Sequence, residues 1–198
     1  MSELIGPGNL KWNTKATTIL GGYGTGPNEL NLPLGIFIEP KTQILYIADG
    51  HNNRIQKRYP NGQVETAAGQ ANGTGGSSPS TLANPVHAVA DENENVYVAD
   101  WENQRIQFWE KGAKSGKIVA GDGTRGSAWN EFSYPSRVVL DSNGSIIVVD
   151  TQNARITTWT LPYNPKTSNG TLVAVGCSFR FRTDVTIVRY IFVLGRQW

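Results

Sequence analysis

The nine residues ADGHNNRIQ at positions 48–56 decide the fold, because the chain repeats them twice more. Positions 99–107 read ADWENQRIQ, and positions 149–157 read VDTQNARIT. An Asp, an Asn, an Arg and an Ile keep their places in all three copies, while the residues between them change. The step from one copy to the next is about 50 residues, which is the spacing of a repeat architecture rather than of a single irregular domain.

Each period contains the same four apolar stretches in the same order. A Pro opens the first stretch, Asp ends the second, Asn-x-Arg-Ile begins the third, and Gly ends the fourth; in the second period they cover residues 86–90, 96–99, 105–109 and 117–121. Four short strands per period, without helical periodicity, are typical of a propeller blade. A single blade cannot bury both faces of its sheet, so neighbouring blades must stack. We therefore predict an all-β, partial (open) β-propeller of about three four-stranded antiparallel blades, at about residues 33–70, 85–121 and 135–176.

The two ends of the chain depart from this pattern. Residues 16–21 resemble the fourth stretch of a period and predict one extra N-terminal outer strand, whereas residues 178–198 lack the motif. The predicted organisation is an N-terminal segment over residues 1–15, a propeller fragment over 16–177 and a non-repeat tail over 178–198. Closed propellers have about four to eight blades. Three blades would leave open ends, which the tail could cap or which could support self-association.

The repeated segments resemble the NHL repeat, which builds six-bladed propellers. The resemblance rests on PLGIFIE at 33–39, ILYIAD at 44–49 and NRIQ at 53–56, and it extends over residues 16–176. Members of this family include RNA-binding and substrate-recruiting ends of ubiquitin ligases, extracellular domains and a peptide-amidating lyase. The shared fold therefore implies no single function.

The repeated acidic and basic residues predict a structural ion pair in every blade. An Arg presents a planar fork that can bind a carboxylate through two hydrogen bonds. A catalytic residue need occur only once, whereas these residues occur in every copy. The predicted structural residues are Asp49, Arg54, Asp100, Arg105, Asp150 and Arg155.

No catalytic, metal or cofactor site is predicted. The single Cys excludes a Cys-based metal site, and the two His residues lie in different periods. A G-x-G-x-x-G spacing at 121–126 is not followed by the helix that a dinucleotide site requires. The resemblance to the amidating lyase would imply a His directly after each blade-opening Pro and an Arg directly after the repeated Asp. This chain has Leu34, Val86 and Ser136 at the first position and Gly50, Trp101 and Thr151 at the second.

The charge of the chain argues against nucleic-acid binding. The chain holds 18 Lys and Arg against 16 Asp and Glu, and four of the arginines but one acid lie after residue 177. The repeat body is therefore close to neutral, whereas nucleic-acid binding usually needs a basic patch. No apolar run reaches the roughly 20 residues of a membrane span, and the N-terminus lacks a signal-peptide pattern. We expect a soluble chain, either cytoplasmic or a fragment of a secreted parent.

The non-repeated residues at the corner between the second and third strands predict a binding surface. Trp101 stands out because Gly50 and Thr151 occupy the same position in the other copies, and Trp is enriched at binding hot spots. The alternative is that Trp101 only packs on Glu102 or on a neighbouring loop. The predicted binding residues are Trp101, His51, Asn52, Glu102, Gln104, Thr151 and Gln152.

The expected function is non-catalytic binding of a protein or peptide partner through the face that carries these loops. The first alternative is an RNA-binding or ubiquitin-ligase substrate-recognition module. A lyase or hydrolase is less favoured, because the residues for its chemistry are missing.

Overall fold

The computed structural model describes residues 15–164 and 168–175, and these residues form three four-stranded antiparallel sheets. Blade 1 contains β1 (Pro33–Ile38), β2 (Leu45–Asp49), β3 (Arg54–Arg58) and β4 (Val64–Gly69). Blade 2 contains β5 (Pro85–Ala90), β6 (Val96–Asp100), β7 (Arg105–Trp109) and β8 (Lys117–Ala120). Blade 3 contains β9 (Pro135–Leu140), β10 (Ile146–Asp150), β11 (Arg155–Trp159) and β12 (Thr171–Val175). The prediction of three four-stranded blades is confirmed.

The three sheets share their connectivity and their irregularities. In each blade the strands pair in chain order, so every strand lies beside the next one in the sequence. Each first strand has a register shift near its opening Pro, and each third strand has one just after the repeated Ile. Register shifts at the same places show that the three copies share one backbone arrangement.

The turn between the second and third strands has the same backbone in every copy. A 3-10 turn covers Gly50–Asn52 in blade 1 and Trp101–Asn103 in blade 2. The next residue is left-handed in each blade, with φ of 50° at Asn53, 53° at Gln104 and 48° at Ala154. Asn tolerates this conformation better than most residues, whereas Ala and Gln need support from their surroundings.

Apolar side chains at the two junctions between blades form the core. We call the face of a blade that is turned toward the preceding blade its upstream face, and the opposite one its downstream face. At the first junction, Ala48 and Ile55 of blade 1 pack with Ala88 and Val98 of blade 2. At the second junction, Ile106 on the downstream face of blade 2 packs with residues on the upstream face of blade 3, namely Val138, Ile146, Val148 and Trp159. Burial of one such aliphatic side chain contributes about 1.5–3 kcal/mol.

The predicted N-terminal outer strand is absent, so this expectation was wrong. Residues 16–21 form no strand, and the side chain of Ile19 is 58% exposed. A fourth strand is held by the third strand of its own blade, and the described residues before Ala16 offer no such partner. Instead, the carbonyl of Ile19 accepts a hydrogen bond from Arg58 Nε at 3.1 Å. The predicted tail over 178–198, and all of the N-terminal segment except Lys15, lie outside the described residues.

Among the described residues, no helix is long and apolar enough to cross a membrane.

Candidate binding surface

The loops between blades and the turns between second and third strands lie at the same end of the sheets. His51 N donates to Asn31 O at 3.0 Å, and Gln152 N donates to Ser133 O at 3.0 Å. In blade 2, Glu102 N donates to Ala83 O at 3.2 Å. Each turn is therefore held against the loop that enters its own blade. We call this end of the sheets the loop face.

The repeated Asp and Arg form a buried ion pair in every blade. Each Arg Nε donates to an Asp Oδ2 across the second and third strands, at 2.9, 2.8 and 2.7 Å in blades 1, 2 and 3. The three Asp side chains are fully buried, and the Arg side chains are almost so. The pairing predicted from the repeat is confirmed for Asp49–Arg54, Asp100–Arg105 and Asp150–Arg155.

The same groups also fasten the loop that enters each blade, which the sequence did not reveal. In blade 2, Arg105 donates from its two terminal nitrogens to the carbonyls of Ser77, Ser78 and Thr81. The other Asp100 oxygen accepts from Ala83 N at 2.7 Å. The corresponding carbonyl acceptors are Thr25, Gly26 and Glu29 in blade 1 and Ser127, Ala128 and Glu131 in blade 3. The ion pair therefore fixes the loop face in position, and burial raises the pKa of Asp100 while Arg105 opposes that rise.

Asn52, which was predicted to bind a ligand, belongs to this scaffold instead. Its side chain is buried, and its amide donates to Asp49 Oδ2 at 2.9 Å and to Gly24 O at 2.8 Å. Asn103 and Asn153 make the same pair of contacts in the other blades. A buried amide whose NH2 group already makes two hydrogen bonds within its own blade is not presented to a partner. Its recurrence in all three copies was the signal for this role.

Gln104 is also structural, so its prediction as a binding residue was wrong. Its side chain is buried, and its amide oxygen accepts from Tyr134 N at 2.7 Å, which ties blade 2 to the loop that enters blade 3. Asn53 holds the next loop in the same way, through a 3.0 Å hydrogen bond from Asn84 N. Ala154 occupies this position in blade 3 and has no side-chain acceptor.

Trp101 lies in a cluster at the junction of blades 2 and 3. Its ring contacts the Tyr134 ring with a centroid separation of 4.4 Å, and the Arg125 guanidinium lies 4.5 Å from the centroid of Tyr134. Arg125 also donates to Gln152 Oε1 at 2.7 Å. Arg125 and Gln152 are exposed, whereas Trp101 and Tyr134 are half-buried. We call Trp101, Tyr134, Arg125 and Gln152 the Trp101 patch.

The remaining predicted binding residues lie around this patch or in blade 1. Glu102 is exposed and accepts a long 3.4 Å hydrogen bond from Asn84 Nδ2. Thr151 is half-buried and donates to the Ser136 hydroxyl. His51 is exposed on the turn of blade 1, one junction away from Trp101. The alternative prediction, that Trp101 packs on a neighbouring loop, is correct in part, because its ring contacts Tyr134 in the loop that enters blade 3.

Sequence reasoning missed Tyr134 and Arg125. Tyr134 stands directly before the blade-opening Pro135, where the other copies carry Leu32 and Asn84. Arg125 stands directly before Gly126, whose carbonyl accepts from Asn153. Both positions vary between copies, as position 101 does. Comparing every loop position across the repeats, rather than only the strand corner, would have found them.

His87 does not take part in a metal site among the described residues. Its Nδ1 is buried without a hydrogen-bond partner there, and burial, with a smaller contribution from Arg137, lowers its pKa to about 4. The imidazole is therefore neutral at physiological pH. No three His, Cys, Asp or Glu side chains within the described ranges are close enough to hold a metal ion.

At the opposite end of the sheets, Glu94 links blades 1 and 2 by charge. Its carboxylate accepts from Lys57 Nζ at 2.8 Å and from the Tyr59 hydroxyl at 3.0 Å, both in blade 1, and also pairs with Lys111. Burial by itself would raise the pKa of Glu94, but the hydrogen bonds from Lys111, Lys57 and Tyr59 lower it to about 2. The network therefore supports the junction rather than a catalytic acid.

Comparison with known proteins agrees with this architecture. The NHL repeat family model matches residues 132–159. NHL repeat-containing protein 2 of Gallus gallus is 37% identical over 91 residues, which cover 42% of this chain and 12% of that protein. The chain thus spans a small part of this curated relative.

Similar solved structures are propeller-like and share little sequence. A chain of the nidogen/laminin complex has a TM-score of 0.60 at 16% identity, over 87% of this chain and 56% of that one. A gluconolactonase from Xanthomonas campestris has a TM-score of 0.51 at 13% identity, over 74% and 48% of the two chains. An auxiliary nutrient binding protein from Bacteroides thetaiotaomicron also has 0.51, at 20% identity, over 62% and 36%. At these identities the likeness shows the fold alone. With three repeated four-stranded sheets, a match to the NHL repeat model over residues 132–159 and an NHL-containing relative, this chain is similar to NHL repeat proteins and has propeller-type blades.

Proposed function

We propose that this chain is a non-catalytic binding module whose Trp101 patch takes a protein or peptide partner. The observation that carries the proposal is the convergence of non-repeated side chains on the loop face. The turn of blade 2 contributes Trp101, the next loop contributes Arg125 and Tyr134, and the turn of blade 3 contributes Gln152. Recognition residues are commonly placed on loops that a rigid scaffold holds in position.

The scaffold and the patch use different residues, which supports separate roles. The buried Asp, Asn and Arg of each copy are occupied by the loops of their own blade. The patch residues occupy positions at which the three copies differ, so the fold does not require their side chains. Residues that a repeated fold leaves free to vary are suited to specific recognition.

The composition of the patch favours a ligand with an acidic group beside an aromatic or apolar one. Trp, Tyr and Arg are the residue types most enriched at binding hot spots. Within the described ranges, Arg125 forms no salt bridge, and its hydrogen bonds and cation–π contact involve Ser133, Tyr134 and Gln152. A partner carboxylate could therefore pair with its guanidinium, while an aromatic or apolar side chain covers Trp101. Glu102 and His51 would then contact the rim of the partner.

RNA is the second candidate, because the same patch could stack a base. Aromatic rings and Arg planes are the usual platforms for unpaired bases. The near-neutral repeat body argues against it, since phosphate binding depends on clustered positive charge. A ubiquitin-ligase substrate-recognition role is a special case of protein binding through this surface. A lyase or hydrolase role is the least supported, since the patch contains neither a carboxylate pair nor a nucleophile with an adjacent base.

A peptide selection can test the proposal. A random peptide library would be panned against the full chain, with the Tyr134→Ala, Arg125→Gln double variant as the counter-selecting protein. We expect peptides that combine Asp or Glu with an aromatic residue and that bind the wild type alone. Trp129→Ala is the matched control, because Trp129 is exposed in the same loop but contacts Arg155 rather than the patch. Peptides that bind all three proteins equally would contradict the proposal.

Titration with fluorescent single-stranded RNA at two salt concentrations separates the second candidate. Tight RNA binding that weakens steeply with salt would favour phosphate recognition. Peptide binding through one guanidinium should change little over the same range.

A further inference from the structure

On the upstream face of blade 1, the first strand presents a row of exposed apolar side chains, whereas Ile47 of the second strand and Gln56 of the third are buried. The side chains of Leu34, Ile36 and Ile38 point to this face from alternate positions of β1, and their exposed fractions are 44%, 67% and 53%. Large aliphatic residues at strand positions normally lie in a core. Three of them in one row form a contiguous apolar strip rather than scattered exposure.

The equivalent rows in the other two blades show what such a face packs against. Register places Ile36 at the position of Ala88 in blade 2 and Val138 in blade 3, because each pairs with the matching residue of its second strand. Ala88 and Val138 are 3% and 0% exposed. Both are covered by the downstream face of the preceding blade. The β1 strip therefore has the position and the chemistry of a blade junction.

The downstream face of blade 3 is the complementary surface. In blades 1 and 2 the core positions of this face are buried, at Tyr46, Ala48, Ile55 and Ala68 and at Tyr97, Ala99, Ile106 and Ala120. Their equivalents in blade 3 are Ile147, Val149, Ile156 and Ala174, of which Ala174 is exposed and the others are half-buried. This face is as apolar as the two that are covered. The described residues thus leave an exposed apolar row on the upstream face of blade 1 and a partly exposed apolar surface on the downstream face of blade 3.

We propose that two copies of this chain pair end to end, with the downstream face of blade 3 in each copy packed on the upstream face of blade 1 in the other. The contact would repeat the junctions within the chain, where β2 contacts β5 and β6 contacts β9. A head-to-tail contact closes into a ring when its rotations add up to a full turn. Two sets of three blades would make a ring of six, which lies within the range of about four to eight blades found in closed propellers.

The solution mass of the full chain tests the pairing. The protomer mass is 21.6 kDa, and light scattering after size-exclusion chromatography should give twice that value. A monomer over the whole accessible concentration range would overturn the proposal, whether the chain's own residues or solvent cover the strip. A series of larger species that grows with concentration would also overturn it, because the contact would then not close.

Two charge variants test which faces meet. Ile36→Glu on the upstream face should give a folded monomer, since Ile36 is mainly exposed in the single chain. Val149→Lys should do the same on the downstream face. Ala88 and Ala48, which occupy these two positions at the first junction, belong to one cluster. An equimolar mixture of the variants should therefore recover the dimer, through one unaltered contact and one Glu–Lys contact.

Trp129→Glu is the matched control, because it places the same charge on an exposed aromatic in the loop between blades 2 and 3. It should remain dimeric. Two results would show that these faces do not meet. One is a dimer formed by Ile36→Glu alone. The other is a mixture that stays monomeric although both variants keep the wild-type circular dichroism spectrum.

Discussion

The ion pair of blade 2 gives the most demanding prediction about stability. Arg105 is buried, binds Asp100 at 2.8 Å and supplies three hydrogen bonds to loop carbonyls. Arg105→Ala leaves Asp100 buried with only Ala83 N and Asn103 as donors. Removing one partner of a buried pair costs about 3–5 kcal/mol. Water can enter and solvate the freed carbonyls, so we expect a loss of about 4 kcal/mol.

Urea unfolding followed by tryptophan fluorescence measures this loss, because Trp109 and Trp159 are buried. With a typical slope of about 2 kcal/mol per molar urea, the midpoint should fall by about 2 M. Lys117→Ala is the matched control: its 2.9 Å pair with Glu110 is exposed on both sides. Such a pair contributes about 0–1 kcal/mol, so its midpoint should hardly move.

The pH dependence of the Arg105→Ala defect provides a second check. Burial raises the pKa of Asp100, and removing the opposing cation should raise it further. A group whose folded pKa is raised binds more protons in the folded state, so lowering the pH favours folding. The difference from the wild type should therefore be smaller at pH 5 than at pH 7. Equal midpoints for wild type and Arg105→Ala at pH 7 would refute the reasoning.

Two further substitutions test the close approach of loop and blade and the link at the opposite end of the sheets. Gly121→Ala should cost well over 2 kcal/mol, because a Cβ there would lie 2.5 Å from Phe132 Cδ2 and 2.7 Å from Gln104 O, at φ 74°. Gly112 has nearly the same φ of 75°, but a Cβ there would meet no atom within 4 Å, so Gly112→Ala should cost only about 1 kcal/mol. Equal melting temperatures for the two variants would contradict the close packing of Gly121 against Phe132 and Gln104. Glu94→Gln should cost about 2 kcal/mol at pH 7. In the wild type, the lowered pKa of Glu94 stabilises the fold at pH values above the ordinary 4.5, and this contribution is lost as the pH falls toward 2. The urea midpoints of the wild type and Glu94→Gln should therefore converge in acid. A difference that stays constant with pH would contradict the network.

The sequence predicted the architecture because the repeats report the same local physics three times. Pro33, Pro85 and Pro135 each open a first strand, and the Asp–Arg pair spans the second and third strands of every blade. The missing outer strand at residues 16–21 shows the limit of such matching. A short apolar segment becomes a strand only when a neighbour pairs with it, and that partner is not visible in the segment itself.

The candidate site was predicted less well, because side-chain contacts across a blade junction are not encoded in local spacing. Tyr134 is 33 positions after Trp101, yet their rings touch. Asn52 and Gln104 were assigned to the wrong role, since a polar residue at a turn can face either the partner or the backbone. Recurrence distinguishes the two cases for Asn52. For Gln104 only the structure does, because the equivalent residues are Asn53 and Ala154.

The central claim is that the repeated residues hold the loop face while non-repeated residues bind the partner. Calorimetric titration of a selected peptide into wild type, Tyr134→Ala and Trp129→Ala tests it most directly, with urea midpoints measured on the same samples. Loss of a Tyr hot spot costs about 2 kcal/mol or more, so we expect at least roughly 30-fold weaker binding for Tyr134→Ala. Trp129→Ala should bind like the wild type. An unchanged affinity for Tyr134→Ala, with the fold intact, would contradict the account.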